Sequence, residues 1–241
     1  IQTNTDDSEV FRGCAKLATL TIYYDALTTV GDGTRALFAE ASAADGTLAA
    51  LTTLKFIKKA STDPTFKATI ATAAFANCTG ITTLWIADGN TIAAGAALNA
   101  GAIALSNETN SEVKFGKLAA APVAGFITGP VTAGVETTIT VGEVAVAQAQ
   151  ATAIISGNIG TFTVGKLSAA LQVEAIGAAS RIVFGGDITT ALTVAGTRVP
   201  NSRLTEIAFG SIKISDAVDI IPANAFDEDV ITERAQTDTG A

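Results

Sequence analysis

No histidine and no methionine occurs in this 241-residue chain, and aromatic residues make up only 6% of it. Without histidine, a Ser-His-Asp triad, a Cys-His dyad and a histidine-ligated zinc site are all out of reach, which leaves an enzymatic reading few tools. Cysteine is scarce too: Cys14 and Cys78 are too few for a disulfide framework. The closest approach to a membrane-spanning run, Leu118 to Val135, is interrupted by two prolines and three glycines, so no transmembrane segment is expected. Positive charge is in deficit, with 15 Lys and Arg against 23 Asp and Glu and a net charge of −8, which disfavours nucleic acid and anionic membrane as partners. The chain contains no Walker loop, no Gly-x-Ser-x-Gly elbow and no Cys-x-x-Cys, and no cofactor or metal is implied.

What is present is a large apolar fraction, 48%, ample for a core and built largely from small residues. Ile1 in place of Met fits a processed terminus, as after signal removal, and equally a trimmed one. The informative signal is a couplet of the form apolar, variable, apolar that recurs along the chain. It reads Leu20-Thr21-Ile22, Leu54-Lys55-Phe56, Leu84-Trp85-Ile86, Val113-Lys114-Phe115, Ile139-Thr140-Val141, Phe162-Thr163-Val164, Ile182-Val183-Phe184 and Ile207-Ala208-Phe209. Successive first residues are 34, 30, 29, 26, 23, 20 and 25 apart, the range of solenoid repeats. Period two within each unit turns the outer pair inward and the middle residue outward, as a strand with one buried face requires. The expected fold is therefore a repeat solenoid, mainly β with irregular turns. Helical turns are expected only at Thr34 to Ala50 and Ala93 to Leu105, where alanine is dense.

Two segments carry a resemblance. Glu9 to Ile22, with Val10-Phe11, Cys14, Leu17, Leu20 and Ile22, and Ala74 to Ile86, with Ala74-Phe75, Cys78, Ile81, Leu84 and Ile86, resemble the BspA-type leucine-rich repeat. The stretch Val218 to Phe226 is similar to the half of that repeat that precedes Cys. From Val113 to Ile188 the couplet persists, but the Ala-Phe and Cys positions give way to a glycine-rich variant. The resemblance implies a leucine-rich-repeat-like, right-handed stack of about eight parallel strands, and a protein acting in cell-surface interaction. On this reading residues 10–231 form one solenoid domain, BspA-like over 10–112 and glycine-rich over 113–231, flanked by tails at 1–9 and 232–241.

Cys14 and Cys78 occupy the same repeat position about two rungs, roughly 10 Å, apart, too far for a disulfide, and are expected as free, buried thiols. Glycine follows five strands, at Gly116, Gly142, Gly165, Gly185 and Gly210. The plain explanation is a backbone turning out of the strand; the functional one is a smooth lane that lets another chain approach. The outward positions Thr21, Tyr23, Lys55, Ile57, Trp85, Ala87 and Lys114 place the only tryptophan with a tyrosine and two lysines on one face. Tyr23, Lys55, Trp85 and Lys114 are thus the candidate ligand or partner face. Acidic residues gather near both termini, as Asp6, Asp7 and Glu9 and as Asp227, Glu228, Asp229, Glu233 and Asp238, a pattern suited to solvated caps, with calcium binding by the clustered carboxylates as the secondary reading.

The function expected from these features is that of a secreted or cell-surface structural or adhesive protein, not an enzyme. Its partner is itself, in an oligomer or filament, or a host or cell-surface protein or glycan. A glycan- or peptide-binding module is the first alternative. A parallel β-helix enzyme acting on polysaccharide is the second, and the outward residues Lys114, Thr140, Thr163, Val183 and Ala208 give it no cluster of Asp, Arg and Lys.

Overall fold

The computed structural model describes residues 14–25, 27–31, 50–59, 65–75, 78–148, 154–172, 176, 179–190, 192–193 and 204–209. Over them the chain is a parallel β-solenoid. Its main ladder runs, in order, through β1 (Thr19–Tyr23), β3 (Thr53–Ile57), β6 (Thr83–Ile92), β9 (Ser111–Leu118), β11 (Thr137–Val144), β13 (Ile159–Val164), β15 (Ala179–Phe184) and β17 (Glu206–Phe209). All eight couplets fall in this ladder and in one register: Leu20 pairs with Leu54, Leu54 with Leu84, Leu84 with Val113, and so on to Ile182 with Ile207. The sheet has nine strands because β4 (Thr65–Phe66) also joins it, pairing with the far end of β6.

Alternation explains why these residues form strands. Leu54 and Phe56, Leu84 and Ile86, Val113 and Phe115, Ile139 and Val141 are all buried, while the residues between them are not. Each fully buried aliphatic or aromatic side chain contributes about 1.5–3 kcal/mol. Threonine and the β-branched residues at the outward positions suit a pleated, half-exposed surface.

Each coil continues past its first face. A second apolar column, Phe66, Ile92, Leu118, Val144, Leu167 and Ile188, runs parallel to the first. Three short ladders complete the walls: β2 (Thr29–Val30), β5 (Thr69–Ile70) and β7 (Ala97–Leu98); β8 (Ile103–Ala104), β10 (Ile127–Thr128) and β12 (Ile155–Ser156); and β14 (Leu171–Gln172) with β16 (Leu192–Thr193). The interior holds edge-on aromatic pairs, Tyr24 with Phe66 and Phe56 with both Phe66 and Phe75, at centroid separations of 5.5, 5.9 and 5.9 Å.

Three expectations change. Ala93 to Leu105 is not helical: it holds β7 and β8, because Ala96 and Leu98, then Ile103 and Leu105, alternate inward and packing overrides alanine's helix preference. No α-helix occurs among the described residues, and most of Thr34 to Ala50 lies outside them. Both thiols are free, but only Cys78 is buried, and burial pushes its pKa up to about 12. Cys14 is exposed, since it precedes β1, the first rung of the ladder. Ala87 is buried instead of outward, because residues 87–90 form a bulge opposite one residue of β9, with positive φ at Ala87 (52°) and Gly89 (69°).

Among the described residues no helix is long and apolar enough to cross a membrane. The expected tails and the acidic clusters at both termini lie outside the described residues.

Candidate functional site: the outward face of the main ladder

Register alone dictates what stands beside what on this face. One outward column reads Thr19, Thr53, Thr83, Glu112, Thr138, Thr161, Arg181 and Glu206. The next reads Thr21, Lys55, Trp85, Lys114, Thr140, Thr163, Val183 and Ala208. Rungs lie about 4.8 Å apart, and i to i+2 along a strand is about 6.7 Å, so the two columns form a strip rich in small hydroxyl side chains, broken by a bulky, charged cluster on the second to fourth rungs and by Arg181, Glu206, Val183 and Ala208 at the far end.

That cluster brings together three of the four expected face residues. Trp85 sits between Lys55 and Lys114, whose ammonium groups lie 3.6 and 4.7 Å from its ring centroid. Its indole Nε1 donates to Glu112 Oε2 at 3.1 Å, and Lys114 Nζ lies 3.0 Å from Glu112 Oε1. Partial burial acts to raise the Glu112 pKa, but hydrogen bonds from Lys114 and Trp85 and the charges of Lys114 and Lys55 outweigh it, holding the carboxyl below its ordinary value. Tyr23 stands apart, two residues along β1 and opposite Ile57; its ring is 52% exposed and carries Lys59 Nζ at 5.7 Å from the centroid.

Glu112 is the member that sequence reasoning missed. Its signal was available: a Glu-x-Lys pair, Glu112 and Lys114, lies on the same outward face one rung from the only tryptophan. A second carboxylate is held the same way. Glu143 lies 3.2 Å from Lys117 and 3.8 Å from Lys166, and accepts from Ser168 Oγ at 2.8 Å. Burial raises its pKa, and Ser168, Lys117 and Lys166 together lower it further than burial raises it. At the far end Arg181 Nε donates to Glu206 Oε2 at 2.8 Å. Each of these acidic groups is thus neutralised by a base one rung away or on its own strand.

Along the expected glycine lane, Gly116 is buried, Gly165 half-buried, and Gly142 and Gly185 exposed. A methyl group on Gly116 would strike the carbonyl oxygens of Ala87 and Asn90 in the bulge. On Gly142 it would lie 3.4 Å from the Gly116 carbonyl carbon, and on Gly165 it would strike the Gly142 oxygen. The next member of the stack is Gly186, which would strike Gly165, and not Gly185, whose nearest neighbour is 3.9 Å away. At Gly116, Gly165 and Gly186 the backbone that approaches closely is therefore that of the preceding coil of the same molecule. Gly210 lies outside the described residues.

No family model, no curated protein and no solved structure matches this chain.

Proposed function

We propose that the chain is a non-catalytic structural or adhesive repeat protein, working at the cell surface or outside the cell through its repetitive outward strip and assembling with copies of itself into a coat or filament. The observation that carries this reading is the strip: Thr19, Thr53, Thr83, Thr138 and Thr161 in one column, with Thr21, Thr140 and Thr163 in the next, repeat one surface chemistry at a fixed rung spacing. The acidic groups on the strip are each engaged by neighbouring bases, which favours a presenting surface over one poised for proton transfer. The resemblance to BspA-type repeats supports the cell-surface part, since Ala74, Phe75, Cys78, Ile81, Leu84 and Ile86 are all buried, as that pattern requires of its fixed positions.

A glycan- or peptide-binding module is the second reading, favoured by the half-open ring of Tyr23. Against it, the Trp85 ring already carries two ammonium groups, so a sugar stacking there must first displace a lysine. Size-exclusion chromatography and electron microscopy over rising protein concentration separate the two. Filaments or sheets support assembly, and a monodisperse monomer that binds oligosaccharide or peptide contradicts it.

A further inference from the structure

The early outward face holds two carboxylates among its lysines, and both are already engaged. Glu112 uses Oε2 for the Trp85 indole and Oε1 for Lys114. Asp25 Oδ2 accepts the backbone N–H of Lys59 at 2.8 Å, which fixes where that lysine leaves the ladder. Lys55 and Lys59 lack such a partner: their ammonium groups rest against the Trp85 and Tyr23 rings, 3.6 and 5.7 Å from the centroids, and neither forms an ion pair among the described residues. The two lysines lie two residues to either side of Ile57, and Ile57 is paired with Tyr23. Tyr23 is 52% exposed, so an open ring stands beside two ammonium groups. Lys55, one rung over and two residues along, is about 8 Å from it, Cα to Cα.

We infer that Tyr23, Lys55 and Lys59 bind a carboxylated glycan of the uronate class, with a sugar ring stacked on Tyr23 and its carboxylate paired with one of the two lysines. The inference rests on the adhesive part of the reading above and names what is adhered to. A uronate carries an apolar C–H face and a carboxylate on one ring, the two features that the open tyrosine and its neighbouring ammonium groups answer. A neutral sugar is answered only by the ring: to reach Trp85 it must displace Lys55 and gives that cation nothing in return. A carboxylate draws Lys55 off Trp85 at little cost, because a cation on a ring in contact with water is weakly held. An acidic peptide gains no main-chain hydrogen bonds from β3, which carries Lys55 and is paired on both sides. The net charge of −8 opposes polyanions at long range, but charges beyond about 8 Å are largely screened at physiological ionic strength, so contact is decided by the groups at the site.

The test titrates the full-length protein calorimetrically with an oligogalacturonate, with a glucuronate-containing oligosaccharide, with the methyl ester of each, and with polyglutamate. At least one of the two acidic glycans is expected to bind at least about tenfold more tightly than its neutral ester and than polyglutamate, and to change the emission of the sole tryptophan as Lys55 leaves its ring. Lys55→Gln with Lys59→Gln, and separately Tyr23→Ala, should each weaken that binding at least about tenfold, circular dichroism and Tm equal to wild type establishing that both variants are folded. Failure of both acidic glycans to bind overturns the inference, and so do esters that bind as tightly as the acids or lysine variants that bind as wild type does. Polyglutamate binding as tightly as the glycans overturns it too, since the face then reads charge and not sugar. Size-exclusion chromatography of the same samples keeps the two readings apart. A wild type that assembles but binds no uronate leaves the assembly reading standing and removes the inference, whereas a monomer that binds uronate keeps the inference and removes assembly.

Discussion

The two halves of the solenoid solve the same packing problem with different residues. In the early coils, which run 34, 30 and 29 residues, the interior is filled by Tyr24, Phe56, Phe66 and Phe75, and β6 swells into the bulge at 87–90. In the later coils, of 23 and 20 residues, the interior is lined by Ile139, Val141, Val164 and Ile182 with the rings of Phe162 and Phe184, and backbone stacks closely on backbone at Gly165 and Gly186. The eight couplets stay in register through both, although the pairing beside them slips, by one residue at Gly160 between β11 and β13 and at 87–90 in β6. What changes is the filling, because four aromatic rings cluster edge-on in the early coils, whereas corners without side chains let the backbones of the later coils approach.

The most severe way to break this comparison is Gly116→Ala, at the junction of the two halves. The added methyl meets two backbone carbonyls that have no flexible end to yield, so a loss of about 3 kcal/mol or more is expected in denaturant unfolding. Gly185→Ala, with open space around it, should cost under about 1 kcal/mol, and equal losses at both sites would refute the stacked-glycine account. Phe56→Ala empties the ring cluster of the early half and should cost about 3–5 kcal/mol, read from the same unfolding curves.

A smaller effect of opposite sign is expected at Gln148. This side chain is fully buried in a column with Leu171 and Leu192; its Nε2 donates to the Val146 carbonyl at 3.0 Å, but its Oε1 has no hydrogen-bond partner among the described residues. Gln148→Leu removes the orphaned oxygen and matches its neighbours, so stability should hold or rise by about 1 kcal/mol; a clear loss of stability would show that the amide is essential to the coil.

The smallest effect is electrostatic. Glu112 and Glu143 have folded pKa values below their unfolded ones, so each stabilises the fold above its unfolded pKa, near 4.3, and that contribution fades as pH falls through the lower folded value. Both carboxyls meet solvent, which limits the contribution to about 1 kcal/mol or less each. Acid titrations of wild type and Glu143→Gln should therefore converge once the pH has fallen below the lowered folded pKa, the variant being the less stable only above it.

The ladder was legible in the sequence because a strand with one buried face must alternate, and all eight couplets, Leu20-Thr21-Ile22 through Ile207-Ala208-Phe209, keep that alternation. The short ladders were not. A two-residue strand such as Ile127–Thr128 has no period to detect, and its partners Ile103 and Ile155 are set by how each coil folds back. The cluster around Trp85 was half legible. Outward positions on adjacent rungs identify Lys55 and Lys114, but the part played by Glu112 depends on a side-chain hydrogen bond across rungs that spacing does not reveal. The glycines were visible as a series, yet which one stacks, Gly186 and not Gly185, depends on where the backbone turns.

The central claim is a continuous ladder in which all eight couplets keep one register, and a distance across many rungs tests it most directly. Thr53 and Arg181 share one outward column five steps apart, which places them about 24 Å from one another. Spin labels at Thr53→Cys and Arg181→Cys, in a background of Cys14→Ser and Cys78→Ala, should give one narrow distance distribution near that value once label length is allowed for. A broad distribution, or one centred beyond about 40 Å, a separation eight or more rung steps would be needed to span, would contradict the continuous ladder.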